Sequence, residues 1–248
     1  MKPWLRAVLV VALAVLASPV RADEKTLVVG VEEIDYYPFY GWLNGAYRGT
    51  ARDILDAFAA AKGYRLVYKA EPIKRLYADL VSGGIDAKFP DNPDWATESK
   101  RGVAVSYSRP LMDYTDGVMV LPGRAGKSVT TLGTVAGFTP FAWLGRLRDG
   151  SVKLKENTRI DRLLRQVLLG RVDGAYVNVT VADHVLGAVL GRPGGLVFDP
   201  SLPYSRGSYH LSTATHPEVA AELDSWLAAN AARVAEIKRR YGVEGGPR

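Results

Sequence analysis

The sequence predicts an α/β protein with two lobes, each a mostly parallel sheet flanked by helices. Strand-like runs of β-branched residues alternate with stretches of helical spacing, which is the pattern of βαβ units. The alternation occurs twice along the 248 residues. That length suits two small cores better than one.

The first set of elements starts with residues 26–31, an apolar run typical of a buried parallel strand. Glycines follow the two predicted helices of this set (51–62 and 73–81), as expected at helix ends. In chain order, the later elements are an aromatic loop (35–47), a helix (51–62), a strand (65–69), a helix (73–81) and a strand (85–89).

The second set repeats the pattern. Its predicted elements are a strand (134–136), a helix started by Thr139 and Pro140, a helix (161–169), a strand (173–177) and a helix (181–190). We expect one lobe to comprise 23–121 and 207–248, and the other 122–206, with two chain crossings between them. The last helical stretch (217–241) should pack on the first lobe, and a ligand should bind between the lobes.

The first 22 residues have the features of a cleaved signal peptide. Lys2 and Arg6 precede an apolar run (7–17), and Ala22 precedes the expected cleavage site. The alternative is a membrane anchor, but a spanning helix needs roughly 20 apolar residues, about twice the length of this run. We therefore expect cleavage and a periplasmic protein.

Composition excludes several functions. The chain has 32 Lys and Arg and 26 Asp and Glu; three of the basic residues lie in the signal peptide, so the remainder carries a net charge of +3. No basic stripe marks a nucleic-acid surface, so no nucleic-acid partner is expected. Cysteine is absent, which excludes disulfides, thiol nucleophiles and a lipid-modified N-terminal cysteine. The three histidines lack ligand spacing and no nucleophile elbow is present, so we predict no metal, no cofactor and no hydrolase chemistry.

Two segments that leave strand ends are candidates for a ligand site. The first holds Tyr36 and Tyr37 in a run of aromatic residues, which favours a ligand platform over core packing because core aromatics would alternate with polar residues. The second presents Asp91, Asn92 and Trp95 in a loop that Pro90 and Pro93 fix. A plain turn explains this second segment equally well.

Over residues 24–242 the order of motifs resembles the periplasmic solute-binding proteins of the amino-acid ABC-transporter type (extracellular solute-binding protein family 3). The similar motifs are LVVGVEEIDYYPF (27–39), SGGID (82–86), TESKRGVAVSYSRP (97–110), GFT (137–139) and GRVDGA (170–175). The resemblance implies the two-lobed type II periplasmic-binding-protein fold with two hinge crossings.

The resemblance also implies roles for single residues. Tyr36 takes the place of an aromatic residue that stacks on the ligand, and Arg101 that of an arginine that grips the ligand carboxylate. Thr139 lies at the helix N-terminus that receives the same carboxylate. The family's amine-binding aspartate falls on Asn178, so either the ligand lacks a free ammonium or Asp91 supplies the charge. We favour the first, and expect a small carboxylate or aromatic acid to bind better than a standard L-amino acid.

The function implied is that of a binding protein, not an enzyme. It would capture a small carboxylate-bearing solute and deliver it, as a monomer, to an ABC permease or a receptor in the inner membrane. One alternative is a dehydratase-like periplasmic enzyme with Glu32, Glu33 or Asp91 as its acid or base. Another is a ligand-binding sensory module.

Overall fold

The structure is a computed structural model that describes residues 25–244, so the predicted signal peptide lies outside the described residues. The strands are β1 (Lys25–Glu32), β2 (Asp35–Tyr36), β3 (Tyr40–Leu43), β4 (Ala46–Arg48), β5 (Tyr64–Glu71), β6 (Ala87–Asp91), β7 (Ser106–Tyr107), β8 (Met112–Val120), β9 (Thr131–Val135), β10 (Lys153–Asn157), β11 (Gly174–Asn178), β12 (Val197–Phe198) and β13 (Ser205–Thr213).

The α-helices are α1 (Thr50–Lys62), α2 (Ile73–Ser82), α3 (Leu144–Arg148), α4 (Ile160–Leu168), α5 (Val179–His184), α6 (Pro217–Ala229) and α7 (Ala231–Tyr241). Short 3-10 segments cover Pro122–Arg124 and Phe141–Trp143, and a π-helical turn covers Val185–Val189. Within residues 25–244, no helix combines the length and the apolar character needed to cross a membrane.

One large sheet runs through the molecule in the order β10-β9-β11-β8-β13-β6-β1-β5. Its strands are parallel toward both ends: β1 pairs with β5 and β6, and β9 pairs with β10 and β11. We call β1 to β6 with their helices the first part, and β9, β10 and β11 with theirs the second part. This mixture of parallel strands and helices confirms the predicted α/β class.

Two long strands, β8 and β13, connect the two parts. They pair antiparallel, from Met112 opposite Tyr209 to Asp116 opposite Ser205. β8 also pairs with β11 in the second part, and β13 continues past Tyr209 to pair with β6 in the first. The chain therefore passes between the parts within strands rather than loops. The lobe boundaries after residues 121 and 206 stay a prediction.

The helices of the first part follow the sequence pattern closely. α1 buries Ile54, Leu55 and Phe58 against the sheet, and α1 and α2 both end at a glycine in the left-handed region, with φ of 73° at Gly63 and 76° at Gly83. The final stretch forms two helices, α6 and α7, instead of one. The Tyr241 hydroxyl at the end of α7 donates to Asp53 of α1 at 3.0 Å, so this stretch packs on the first part as expected.

Two local predictions are wrong. The aromatic segment 35–47 is not a loop but a small antiparallel sheet, β2-β3-β4. Asn44 and Gly45, with φ of 53° and 76°, form the two-residue turn between β3 and β4 that an Asn-Gly pair favours. The helix expected to start at Thr139 is a 3-10 turn followed by the five-residue α3, because Pro140 has ψ of 74°, outside the helical region.

Candidate functional site

A cavity of about 120 Å³, called the central cavity here, lies where the two parts meet. Its wall comes from the first part, from the connecting strands β8 and β13, and from the second part. The lining residues are Glu32, Tyr36, Tyr40, Ile73, Tyr77, Trp95, Ala96, Tyr114, Asp116, Gly137, Phe138, Thr139, Phe141, Tyr176, Val177, Ser205 and Tyr209.

The wall is mainly aromatic. Six tyrosines, one tryptophan and two phenylalanines line it. The rings of Tyr36 and Tyr40 stack with centroids 5.1 Å apart, and those of Tyr114 and Tyr209 stack at 4.8 Å. Trp95 meets Tyr209 edge-on at 6.0 Å. Rings packed against one another hold their positions, so these five residues form a fixed section of the wall.

The wall also contains two carboxyl groups, those of Glu32 and Asp116. Glu32 ends β1, is 3% exposed and accepts a hydrogen bond from the Tyr40 hydroxyl at 3.0 Å. Asp116, on β8, has a buried Oδ1 with no hydrogen-bond partner among the described residues. None of the residues described as lining the cavity is a lysine, arginine or histidine.

Burial raises the pKa of both carboxyls to about 7, because a charged carboxylate loses its hydration there. For Glu32, Lys88 and the Tyr40 hydrogen bond oppose this increase, and Asp91 adds to it. For Asp116, the nearby Glu32 raises the pKa further. Burial raises the pKa of Tyr36, Tyr114, Tyr176 and Tyr209, and the negative charge of Asp116 adds to this increase.

A buried ionic cluster lies behind the wall, on the first part. Lys88 is fully buried, with its Nζ 4.4 Å from the Tyr77 ring centroid, and it donates to the Pro90 carbonyl. Asp91 Oδ1 accepts from the Tyr77 hydroxyl at 3.1 Å and lies 3.6 Å from Lys100 Nζ. Two lysines thus offset two carboxylates, Glu32 and Asp91. Asp116 has no such counter-charge among the described residues.

Three of the residues predicted from the sequence line the central cavity: Tyr36, Trp95 and Thr139. Asn178 lies directly behind the wall and is 1% exposed. Its backbone N–H donates to the Tyr36 hydroxyl at 3.1 Å, and its Nδ2 donates to the Tyr209 hydroxyl at 3.3 Å. Asn178 therefore positions two wall tyrosines.

Tyr37, Asp91 and Asn92 are not among the lining residues. The Tyr37 ring packs on His184 at 4.7 Å, and Asp91 belongs to the ionic cluster. Asn92 Oδ1 accepts from the Asp94 N–H at 2.9 Å, and its Nδ2 donates to the Ser208 carbonyl at 3.0 Å. The first bond stabilises the turn, and the second attaches the turn to β13.

The expected carboxylate clamp does not form. The Arg101 side chain is 75% exposed and pairs with Glu98, because the turn that carries it directs its neighbour Lys100 inward. Lys100 Nζ donates to the Asn92 carbonyl at 2.9 Å and to the Tyr107 hydroxyl at 2.7 Å. At the Gly137–Thr139 corner, the Gly137 N–H donates to Glu156 at 3.3 Å instead of pointing a free donor at the cavity.

Several lining residues were missed from the sequence. Glu32 is predicted only as the acid or base of the alternative enzyme. The polar lining residues without a prediction are Tyr77, Tyr114, Asp116, Tyr176, Ser205 and Tyr209. A signal for two of them exists: Tyr114 and Asp116 are two apart on β8, so they share one face of the strand. An aspartate on the same face of the strand as a buried tyrosine is a recognisable departure from a plain core pattern.

Comparisons with solved structures reveal one shared fold. An ABC uptake transporter substrate-binding protein from Streptococcus pneumoniae with bound histidine has a TM-score of 0.71 and 17% identity, over 87% of this chain and 92% of that one. A histidine kinase sensor domain with similarity to periplasmic binding proteins has a TM-score of 0.70 and 17% identity, over 89% of this chain and 97% of that one.

A third structure is an ancestral amino acid-binding protein, a precursor of cyclohexadienyl dehydratase. It has a TM-score of 0.67 and 19% identity, over 87% of this chain and 95% of that one. No protein-family model and no curated protein sequence matches the chain. The structural similarity covers nearly the whole of each neighbour and confirms the predicted fold: this chain has the two-lobed fold of the periplasmic binding proteins.

Proposed function

We propose that the chain is an exported solute-binding protein that encloses a small solute in the central cavity and presents its closed form to a membrane permease or receptor. The observation that carries this proposal is an aromatic cavity whose wall is shared by both parts of the sheet. Proteins of the same fold include a transporter substrate-binding protein and a kinase sensor domain, which supports both kinds of partner.

Contacts across the cavity support a closing mechanism. Tyr36 of the first part accepts a hydrogen bond from the Asn178 N–H of the second, and its ring meets Phe138 at 5.3 Å. A solute that touches both parts gains contacts only when they are together. It therefore has a higher affinity for the closed form, which is the condition for a solute to drive closure.

An enzyme of the same fold is a second candidate. Glu32 and Asp116 have pKa values raised to about 7 inside a cavity, a property that suits a general acid or base. The cavity wall, as described, offers no cation to hold an acid substrate. Mass spectrometry of the bound solute before and after prolonged incubation separates the two candidates, since only an enzyme converts it to a product.

Export is part of the proposal. We expect the N-terminus of the secreted protein to start at Asp23, after removal of residues 1–22. N-terminal sequencing of the periplasmic fraction tests this, and an uncleaved protein in the membrane fraction contradicts it. We expect the mature protein to elute as a monomer in size-exclusion chromatography.

The main test is native purification followed by mass spectrometry of the released small molecules. A compound found there, added back at about 100 times its Kd, should stabilise the protein by about 2.7 kcal/mol. Phe141→Ala should weaken binding, because Phe141 lines the cavity and is 42% exposed, so it contributes little to the core. Leu144→Ala, an exposed position three residues later, is the matched control. A protein that neither carries nor binds any small molecule contradicts the proposal.

A further inference from the structure

The charge of the central cavity points to the class of solute. Its wall has two carboxyl groups, and Asp116 has neither a nearby cation nor a hydrogen-bond partner for its buried Oδ1 among the described residues. A buried carboxylate is costly unless a partner of opposite charge offsets the lost hydration. A cationic solute would supply that partner.

The aromatic rings suit the same solute. A cation placed over the face of a tyrosine or tryptophan ring, within about 6 Å of its centroid, is attracted by the ring's electron density. The central cavity surrounds its interior with such rings, contributed by both parts and by the connecting strands. Aromatic rings and a carboxylate together can hold an ammonium group, because an ammonium group donates hydrogen bonds and needs no donor from the wall.

A solute carboxylate, by contrast, finds no lysine, arginine or histidine among the described lining residues. Arg101 is turned to solvent, and Lys100 and Lys88 are occupied by carbonyl and hydroxyl groups behind the wall. At the Gly137 corner, the carboxylate of Glu156 takes the backbone N–H. A second carboxylate there would meet like charge. This reverses the expectation of an acidic ligand.

Resting on the proposed function, we infer that the solute is a small organic cation, an amine or quaternary ammonium compound without a carboxylate, held by Asp116 and Glu32 within the ring of aromatic side chains. The cavity of about 120 Å³ is close in size to an apolar cavity of about 150 Å³ that accommodates benzene. The solute is therefore small, with one charged group.

Two sets of matched compounds test this by titration calorimetry at pH 8. The first set is benzylamine, benzyl alcohol and benzoate; the second is choline and its neutral isostere 3,3-dimethyl-1-butanol. We expect a cation to bind in at least one set, and its neutral or anionic counterpart to bind roughly 30-fold more weakly or worse, as for loss of one partner of a desolvated charge pair. Failure of both cations to bind, or benzoate binding as tightly as benzylamine, overturns the inference.

A pair of variants on one strand assigns the effect. Asp116→Asn should weaken binding of the cation roughly 30-fold or more. Asp113→Asn, at an exposed position on β8 that is not among the lining residues, should bind as the wild type does. Because Asp116→Asn removes a partly buried charge that has no counter-charge among the described residues, the melting temperature of the variant should not fall, which separates lost binding from lost folding. Equal affinity of Asp116→Asn and wild type contradicts the assignment.

The outcome remains distinguishable from that of the proposed function. If mass spectrometry of the native protein finds an anionic or zwitterionic solute that rebinds, the inferred solute class is wrong while the solute-binding function stands. If no small molecule is carried and none of the five compounds binds, both fail.

Discussion

At the scale of single residues, Lys100 and Arg101 are neighbours in sequence with opposite surroundings. The Lys100 side chain is 7% exposed and lies 3.6 Å from the fully buried Asp91, whereas that of Arg101 is 75% exposed. Burial lowers the pKa of Lys100, and the attraction of Asp91 opposes this. One residue is thus part of the core and the other part of the surface.

We expect Lys100→Ala to lower the free energy of unfolding by about 3 kcal/mol, because it leaves Asp91 as a buried charge with one partner fewer. Arg101→Ala should leave both stability and solute affinity nearly unchanged, since exposed ion pairs contribute little. Urea unfolding of both variants measures the difference. A large loss of solute affinity in Arg101→Ala, with stability intact, would reinstate Arg101 as a ligand-binding residue.

The two raised carboxyl pKa values predict how binding depends on pH. Glu32 and Asp116 are largely protonated below about pH 7, and a cationic solute binds better to their charged forms. The affinity for choline, whose own charge does not change, should therefore rise roughly tenfold between pH 6 and pH 8. Asp116→Asn should flatten that rise. An affinity of the wild type for choline that does not change with pH would contradict a role of these carboxylates in binding.

The same groups affect the stability of the solute-free protein in the opposite sense. Their folded pKa lies above the ordinary carboxyl value near 4, so between about pH 4 and pH 7 the folded state binds more protons than the unfolded state. Their contribution to stability is thus present at low pH and decreases as the pH rises through 7. Solute binding should offset this decrease.

At the level of residues, the sequence predicted the cavity only in part. Tyr36, Trp95 and Thr139 follow or precede strands that could be recognised locally, and they do line the wall. Asp116 and Tyr209 could not be placed from the sequence, because their position depends on the pairing of β8 with β13, over ninety residues apart. Which way Arg101 turns depends on a turn whose register has no strong local signal.

At the scale of elements, β8 and β13 decide the shape of the cavity. Gly207 on β13 lies opposite Tyr114 on β8, and a Cβ added there would come within 2.5 Å of the Tyr114 hydroxyl oxygen. The Tyr114 ring is itself held between Tyr209, at 4.8 Å, and Trp95, at 5.7 Å. A glycine at this position therefore lets a wall tyrosine lie flat against the neighbouring strand.

We expect Gly207→Ala to displace the Tyr114 ring into the cavity. Affinity for the bound solute should fall roughly tenfold, and the free energy of unfolding by about 1–3 kcal/mol, as for other substitutions that overfill a packed region. Gly123→Ala is the matched control, because a Cβ there meets no atom within 4 Å. Calorimetry on both variants measures the effect. Unchanged affinity in Gly207→Ala would show that the position of Tyr114 does not determine binding.

Elements with a strong local pattern could be predicted, and those set by turns could not. α1 and α2 have apolar faces and are each followed by a glycine, and both form where expected. The 35–47 segment carries an Asn-Gly turn signal, but its aromatic residues obscured the alternation of short strands. At Pro140 the composition suits a helix start, yet the observed ψ of 74° directs the chain away from one.

At the scale of the whole molecule, two connecting strands allow one part to move relative to the other. Among the described residues, the contacts that join the parts across the cavity include the bond from the Asn178 N–H to Tyr36, the Tyr36–Phe138 contact, and the packing of Tyr37 on His184. A solute that touches both parts adds to these contacts and so favours the closed form.

We therefore expect the radius of gyration measured by X-ray scattering to fall when the solute is added to the solute-free protein. Tyr36→Phe removes the acceptor for the Asn178 N–H, a bond of about 1 kcal/mol, while it keeps the ring that lines the cavity. This variant should need a higher solute concentration for the same compaction, roughly fivefold for about 1 kcal/mol. Tyr204→Phe, an exposed tyrosine that is not among the lining residues, should compact as the wild type does. If the radius stays constant at saturating solute, binding occurs without closure, and a partner in the membrane would have to recognise the bound form by a local change rather than by its shape.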